Sequence, residues 1–189
     1  GLVGSEMCIR DSAIGNNYKI RVTQNAELIF GAYTFFGSSI KFICSNKIKI
    51  GAYTRCAYES QFVDSNFHFV LNMKTGNVTR RESEILIGKC NWIGNRTSIT
   101  KGSKTKDFSI ICAGSLMNKD YTQNEENFIM LGGSPAKVLT SGLKRIFSTE
   151  IEKDIIYFFN NNPKANNYNL TSELSDDFKD IHYWFEHMM

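Results

Sequence analysis

Between Ile87 and Met117 the chain repeats itself every six residues. Ile87, Ile93, Ile99, Thr105, Ile111 and Met117 fall in one register, and four places beyond the first five stand Asn91, Thr97, Ser103, Ser109 and Ser115. A period of six matches neither the 3.6 of a helix nor the 2.0 of a strand alternation. It fits a β-solenoid in which each hexad forms one flat face of a coil and the next hexad turns a corner. The bulky residue then points into the prism, and the small one sits where the backbone bends.

The register extends upstream. It opens weakly with Ile14 and Ile20, and FGAYTF from Phe30 returns as IGAYTR from Ile50, keeping Thr34 and Thr54 in the small-residue slot. This shift of 20 residues exceeds the 18 of three hexads, and the steps Val22 to Phe30 and Phe42 to Ile50 absorb the excess as enlarged corners. Hexad positions continue through Ile50, Cys56, Phe62 and His68, so His68 is expected at the last inward position. Residues 69–84, FVLNMKTGNVTRRESE, are polar and basic around a turn at Lys74-Thr75-Gly76-Asn77. Such a stretch cannot enter the prism and must loop outward, either as a solvated decoration or as a binding element. The register resumes at Ile85–Ile87, and residues 118–146 are expected to leave it through a tight turn at Gly132-Gly133-Ser134-Pro135.

The organisation is then a β-helix over residues 13–140, with its loop at 69–84, and a helical extension over 141–189. Thr149 and Glu152 form a capping box ahead of Ile151, Ile155, Phe158 and Phe159, which predicts a helix over about 150–161 stopped by Asn160-Asn161-Asn162-Pro163. Leu174, Phe178, Ile181, Trp184 and Phe185 predict a second amphipathic helix within Ser172–Met189. Both helices are expected to cap the open end of the solenoid, whose last coil otherwise exposes unpaired edge groups. Residues 1–12, GLVGSEMCIRDS, show no period and resemble the translated read-through of a sequencing adapter. They are set aside from the fold as a non-native segment, which leaves the native start undefined.

Composition excludes several classes. A net charge of +3, from 22 basic and 19 acidic residues, gives no argument for nucleic acid, and no such binding motif is present. The run IIYFF at 155–159 is far too short to span a bilayer. Cys8, Cys44, Cys56, Cys90 and Cys112 are odd in number and lack CxxC spacing, which reads as reduced thiols in a cytoplasmic protein. Cys56, Cys90 and Cys112 fit the repeat as small apolar fillers with no histidine nearby in sequence, so a covalent acyl-enzyme is not expected.

The run IGKCNWIGNRTSITKG, followed by IICAGSLMNKD and GGSPAKVL, resembles the C-terminal half of left-handed β-helix (hexapeptide-repeat) acyltransferases. The upstream VDSNFH is similar to the D-x-D-F-H of the sugar and polysaccharide O-acetyltransferases, the branch that includes maltose and galactoside acetyltransferases. Lys106-Asp107 stands where Gly-Asp is usual, Thr105 replaces an aliphatic residue, and Asn118 replaces a threonine that contacts the cofactor.

The resemblance implies a mainly β, left-handed parallel β-helix, against the usual right-handed crossover. It implies a homotrimer with sites between neighbours, acetyl-CoA as co-substrate and no metal. His68 takes the catalytic position as general base, a role suited to a group titrating near neutrality. Asp64 then orients the imidazole or binds the acceptor hydroxyl, or is simply a corner aspartate. Backbone groups at Asn95 and Ala113 follow the pantetheine arm, Trp92 supplies an apolar wall, and Lys119 and Lys137 meet the CoA phosphates. The expected activity is acetyl transfer to a hydroxyl of a sugar or surface-polysaccharide precursor, with acceptor contacts in the 69–84 loop and the N-terminal coils. A serine or amino-sugar acetyltransferase and a non-catalytic trimeric scaffold are the alternatives. A γ-class carbonic anhydrase shares this fold but needs three gathered histidines, and His182 and His187 lie in the tail.

Overall fold

Consecutive strands of a parallel sheet cannot be joined by a tight hairpin; a solenoid meets this constraint by visiting two other faces before returning to the first. The computed structural model describes residues 6–9, 11–170 and 178–188, in two units, Gly1–Lys144 and Arg145–Met189. The first coil contains β1 (Glu6–Ile9), β2 (Ala13–Ile14) and β3 (Lys19–Val22). The second contains β4 (Glu27–Phe30), β5 (Phe35–Phe36) and β6 (Lys41–Cys44), and the third β7 (Lys47–Ile50), β8 (Arg55–Cys56) and β9 (Gln61–Val63). An antiparallel hairpin, β10 (Val70–Leu71) with β11 (Val78–Thr79), interrupts the winding. The fourth coil has β12 (Ile85–Ile87), β13 (Trp92–Ile93) and β14 (Ser98–Thr100), and the fifth has β15 (Ile110–Ile111) and β16 (Leu116–Met117). β17 (Met130–Gly133) and β18 (Ala136–Thr140) end the unit.

Stacking gives three faces. The first is β1-β4-β7-β12, the second β2-β5-β8-β13-β15-β17 with β18 beyond, and the third β3-β6-β9-β14-β16. The inward positions lie directly over one another. Phe36, Cys56, Ile93, Ile111 and Leu131 form one column, and Phe42, Phe62, Ile99 and Met117 another. All of them are buried. In the N-terminal coils aromatic rings fill the prism: Phe42 stacks on Phe62 at 4.7 Å between centroids, and Phe30 lies 4.8 Å from both Phe36 and Phe42.

The corners follow one rule. Tyr33, Tyr53, Glu59, Cys90, Arg96 and Phe108 adopt positive φ, each just before the buried Thr34, Thr54, Ser60, Asn91, Thr97 and Ser109. In the later coils the hydroxyls donate three residues back, Thr97 to the Gly94 carbonyl (2.8 Å), Ser109 to Lys106 (2.9 Å) and Ser115 to Cys112 (2.7 Å), whereas Thr54 and Ser60 donate to the Gly88 and Gly94 carbonyls of the next coil, each at 3.2 Å. Gly94 is required by proximity, because a Cβ there would lie 2.4 Å from the amide nitrogen of Ala113 in the next coil.

Four sequence expectations are modified. The two extra residues per N-terminal coil do more than widen corners; they lengthen the strands, so that Leu28 and Ile48 point inward beside Phe30 and Ile50. The repeat does not stop at residue 118: Asp120 bridges Lys104, and β17 pairs in parallel with β15, which makes most of a sixth coil before the β17–β18 hairpin. Glu6–Ile9, set aside from the fold with residues 1–12, pairs in parallel with β4. In the second unit, α1 (Thr149–Asn161) is capped one residue earlier than the box suggests, by Ser148, whose hydroxyl accepts from the Ile151 amide.

The predicted stop of α1 is found at Asn162, whose amide bonds the Phe159 carbonyl. The second helix, α2 (Lys179–Met188), begins after Phe178; Leu174 lies outside the described residues. Among the described residues no helix is long and apolar enough to cross a membrane.

Emptying the aromatic column should be costly. Phe62→Ala is expected to destabilise the solenoid by about 3–5 kcal/mol, read as a lowered midpoint in urea unfolding. Gly94→Ala should be destabilising too, since its Cβ meets backbone that cannot retreat.

Candidate functional site

β9 ends at Val63, and there the chain leaves the prism at the corner between the third and first faces. Asp64 is fully buried. Its Oδ1 accepts from the Ser45 amide at 2.7 Å and its Oδ2 from the Asn46 amide at 2.8 Å, closing the lengthened corner of the coil below. Burial first, and the Asp64 charge second, push the Cys44 thiol up to about 12. Among the described residues Asp64 makes no bond to His68, so its placement is that of a corner aspartate.

Ser65 bridges Glu82 and the Asn66 amide donates to the Arg81 carbonyl, pinning both ends of the excursion. A tight turn follows: Ser65 Oγ accepts from the Phe67 amide (3.0 Å), the His68 amide donates to the Asn66 carbonyl (2.7 Å), and Phe67 has φ of 61°. This turn carries His68 outside the prism, where it is exposed. The inward position expected for it does not exist, because a residue six places after Phe62 has no face left to stand on once the strand has ended. Its ring makes no hydrogen bond among the described residues. Beyond it the hairpin exposes Phe69, Val70, Leu71 and Met73.

The other predicted residues lie elsewhere on the prism. Trp92 stands on β13, 45% exposed, between Arg55 and Ile110 in the ladder. Asn95 and Ala113 occupy the same corner, between the second and third faces, in successive coils, and the Asn95 carbonyl accepts from the Gly114 amide at 2.9 Å. Their own amides donate to nothing else among the described residues. Lys137 is exposed on β18, opposite Gly132. Lys119 is exposed at the third-to-first corner, its ammonium 5.3 Å from the centroid of Tyr121.

The structure thus groups Trp92, Asn95, Ala113 and Lys137 about the second face, and His68, Asp64 and Lys119 about the third-to-first corner. The third face separates the two groups. A six-residue face spans at most ~20 Å.

Sequence reasoning missed a cleft of about 320 Å³ lined in part by Arg21, Ser45, Arg81 and Phe67, the residue before His68. Its members come from two coils and the excursion, so no local motif announces them. Cys44, Cys56 and Cys90 are buried and Cys112 half-buried, and none of the four forms a disulfide; burial pushes the Cys56 thiol up to about 12. Among the described residues no group of three histidine, cysteine or acidic side chains is arranged to hold a metal ion.

The fold is shared with known acetyltransferases. A maltose O-acetyltransferase from Clostridium difficile 630 superposes with a TM-score of 0.54 at 22% identity, covering 69% of this chain and 66% of that one. The polySia-specific acetyltransferase NeuO superposes with a TM-score of 0.59 at 17% identity, covering 98% and 95%. A hexapeptide-repeat acetyltransferase of Vibrio cholerae O1 biovar eltor, solved with acetyl coenzyme A, gives 0.56 at 21% identity over 74% and 72%. No protein-family model matches the chain, and no curated protein matches it in sequence.

Two outcomes follow from this geometry. Asp64→Ala leaves the Ser45 and Asn46 amides unpartnered and should cost about 1–3 kcal/mol of stability, measured by thermal or urea unfolding. With thiols raised to about 12, Cys44 and Cys56 hold a thiolate fraction of ~10⁻⁴ at pH 8; iodoacetamide should label them only after denaturation, as followed by mass spectrometry.

Proposed function

We propose that this chain is an acetyl-CoA-dependent O-acetyltransferase acting on a hydroxyl of a sugar or surface-polysaccharide precursor in the reducing cytoplasm. The observation that carries the reading is the exposed imidazole of His68, without a hydrogen bond among the described residues, set on a pinned turn whose Phe67 lines a cleft. The sharing of fold with three acetyltransferases supports it.

In this mechanism His68 accepts the proton of the acceptor hydroxyl as its oxygen attacks the thioester carbonyl. The new C–O bond forms, the C–S bond breaks, and the proton passes to the departing CoA thiolate. The acetyl group moves directly, without a cysteine ester, in keeping with buried thiols that stay protonated. Acetyl-CoA suits the corner of Asn95 and Ala113: two amide donors in coils stacked at about 4.8 Å match an extended arm containing amide carbonyls. Trp92 gives that arm an apolar wall, and Lys119 and Lys137 supply ammonium groups for the phosphates.

The His68 corner and the Asn95–Ala113 corner lie on opposite edges of one face, so a complete site takes one corner from each of two copies. Three-sided prisms set side by side as a trimer provide that arrangement three times.

A second reading, a binding scaffold without chemistry, is favoured only by the apolar hairpin around Leu71 and Met73, which suits a partner surface. The two readings separate in one assay. His68→Ala should lower acetyl transfer, followed as free-thiol release, by about 10²–10⁴-fold, with trimer and CoA binding intact. Undiminished turnover removes His68 as the base, whereas a chain that binds no acetyl-CoA at millimolar concentration in calorimetry is a scaffold.

A further inference from the structure

The third face carries cations and no acids. Its strands read KIRV, KFIC, QFV, SIT and LM, so Lys19, Arg21 and Lys41 stand there without a carboxylate on any of the five. The first face is built differently, with Lys47 paired to Glu27 and Lys104 to Glu84, each at 2.6 Å. Among the described residues none of the three third-face cations belongs to an ion pair. Lys19 and Lys41 are direct ladder partners, an arrangement of like charges that disfavours the sheet unless an anion lies over it.

Arg21 sits at the edge of this face, in the ladder that runs through Ile43 to Val63 and so to the point where the excursion leaves. There it lines the cleft of about 320 Å³, together with Gln24, Ser45, Phe67, Arg81 and Glu82. The two guanidinium groups differ in state. Arg81 is committed: its Nε pairs with Glu82, its Nη1 donates to the Phe67 carbonyl at 3.4 Å, and its guanidinium carbon lies 5.2 Å from the Phe69 ring centroid. Glu82 offsets the Arg81 charge, which leaves Arg21 uncompensated among the described residues. Among the described residues the cleft therefore offers one guanidinium without an ion pair, an aromatic ring 47% exposed at Phe67, the residue before His68, and polar side chains.

We propose that this cleft receives an acidic glycosyl unit of the acceptor. Its carboxylate or phosphate rests on Arg21, which can bond such a group bidentately, and its ring lies against Phe67. Lys19 and Lys41 carry the contact to the neighbouring units of an anionic polysaccharide. The inference rests on the acceptor end of the site proposed above, and it narrows the acceptor to a polyanionic glycan.

The test reads binding in the absence of acetyl-CoA, by calorimetry at 50 mM salt. Its probes are oligogalacturonate for the carboxylate, a phosphorylated maltooligosaccharide for the phosphate, and neutral maltooligosaccharide of equal length. At least one acidic probe should bind tenfold or more tightly than the neutral one, and that margin should shrink as salt rises. Which acidic probe binds identifies the source of the charge. Arg21→Gln, at an exposed position, should leave the melting temperature unchanged and abolish the acidic preference. Lys19→Gln with Lys41→Gln should weaken long oligomers and spare a single acidic sugar.

Equal binding of acidic and neutral probes, or an acidic preference untouched by Arg21→Gln, overturns the inference. Acidic binding that survives in a chain with no acetyl transfer would keep the cleft and remove the enzyme. Transfer to neutral sugars that is indifferent to Arg21→Gln would keep the enzyme and remove the cleft.

Discussion

The parallel ladder between coils fixes a spacing of about 4.8 Å, and every other feature of the solenoid has to fit within it. Three faces stack at once, so a residue at one hexad position meets its equivalent directly above and below, as Cys56 meets Phe36 and Ile93. The backbone must then turn sharply between faces without spoiling the register. Residues such as Tyr53 and Arg96 take the left-handed conformation, which is unfavourable for a side chain that carries a Cβ. They hold it because the following threonine is buried and hydrogen-bonded, Thr97 back to its own turn and Thr54 to the Gly88 carbonyl of the next coil. Gly94 obeys the same spacing from the other side, since the next coil occupies the volume a side chain would need.

The spacing also decides where chemistry can be placed. The inside of the prism is filled by stacked apolar columns and the faces are consumed by ladder bonds, so the free groups appear at corners. Among the described residues the amides of Asn95 and Ala113 have no acceptor, because a corner residue lies between two ladder positions. His68 is free because the winding stops at Val63 and a pinned turn carries it outward. Asp64 shows the opposite case: a carboxylate at a corner that the fold itself consumes, holding the Ser45 and Asn46 amides of the coil below.

The two halves of the solenoid solve the same packing problem with different volumes. Coils of 18 residues, such as the step from Ile93 to Ile111, are filled by single aliphatic side chains. The 20-residue step from Phe36 to Cys56 belongs to a wider section filled by Phe30, Phe36, Phe42 and Phe62. The wider section exposes longer faces, and on one of them stand Lys19, Arg21 and Lys41, of which Arg21 lines the cleft.

The period of six determined the parallel solenoid, the inward columns from Phe30 to Met117 and the small corner residues, because each is set by neighbours one coil away that share the same position in the repeat. The excursion at 69–84 was legible for the same reason, as a break in a pattern that tolerates none. The fate of residues that do not repeat was not legible. Whether Asp64 faces His68 or the amides of another coil, whether His68 points in or out, how far the winding continues past Asn118, and how Arg21 comes to share a cleft with Arg81 all depend on contacts between segments whose sequence separation carries no signal. Periodicity reports what every coil has in common; only the tertiary structure decides what is placed at the points where one coil differs from the next.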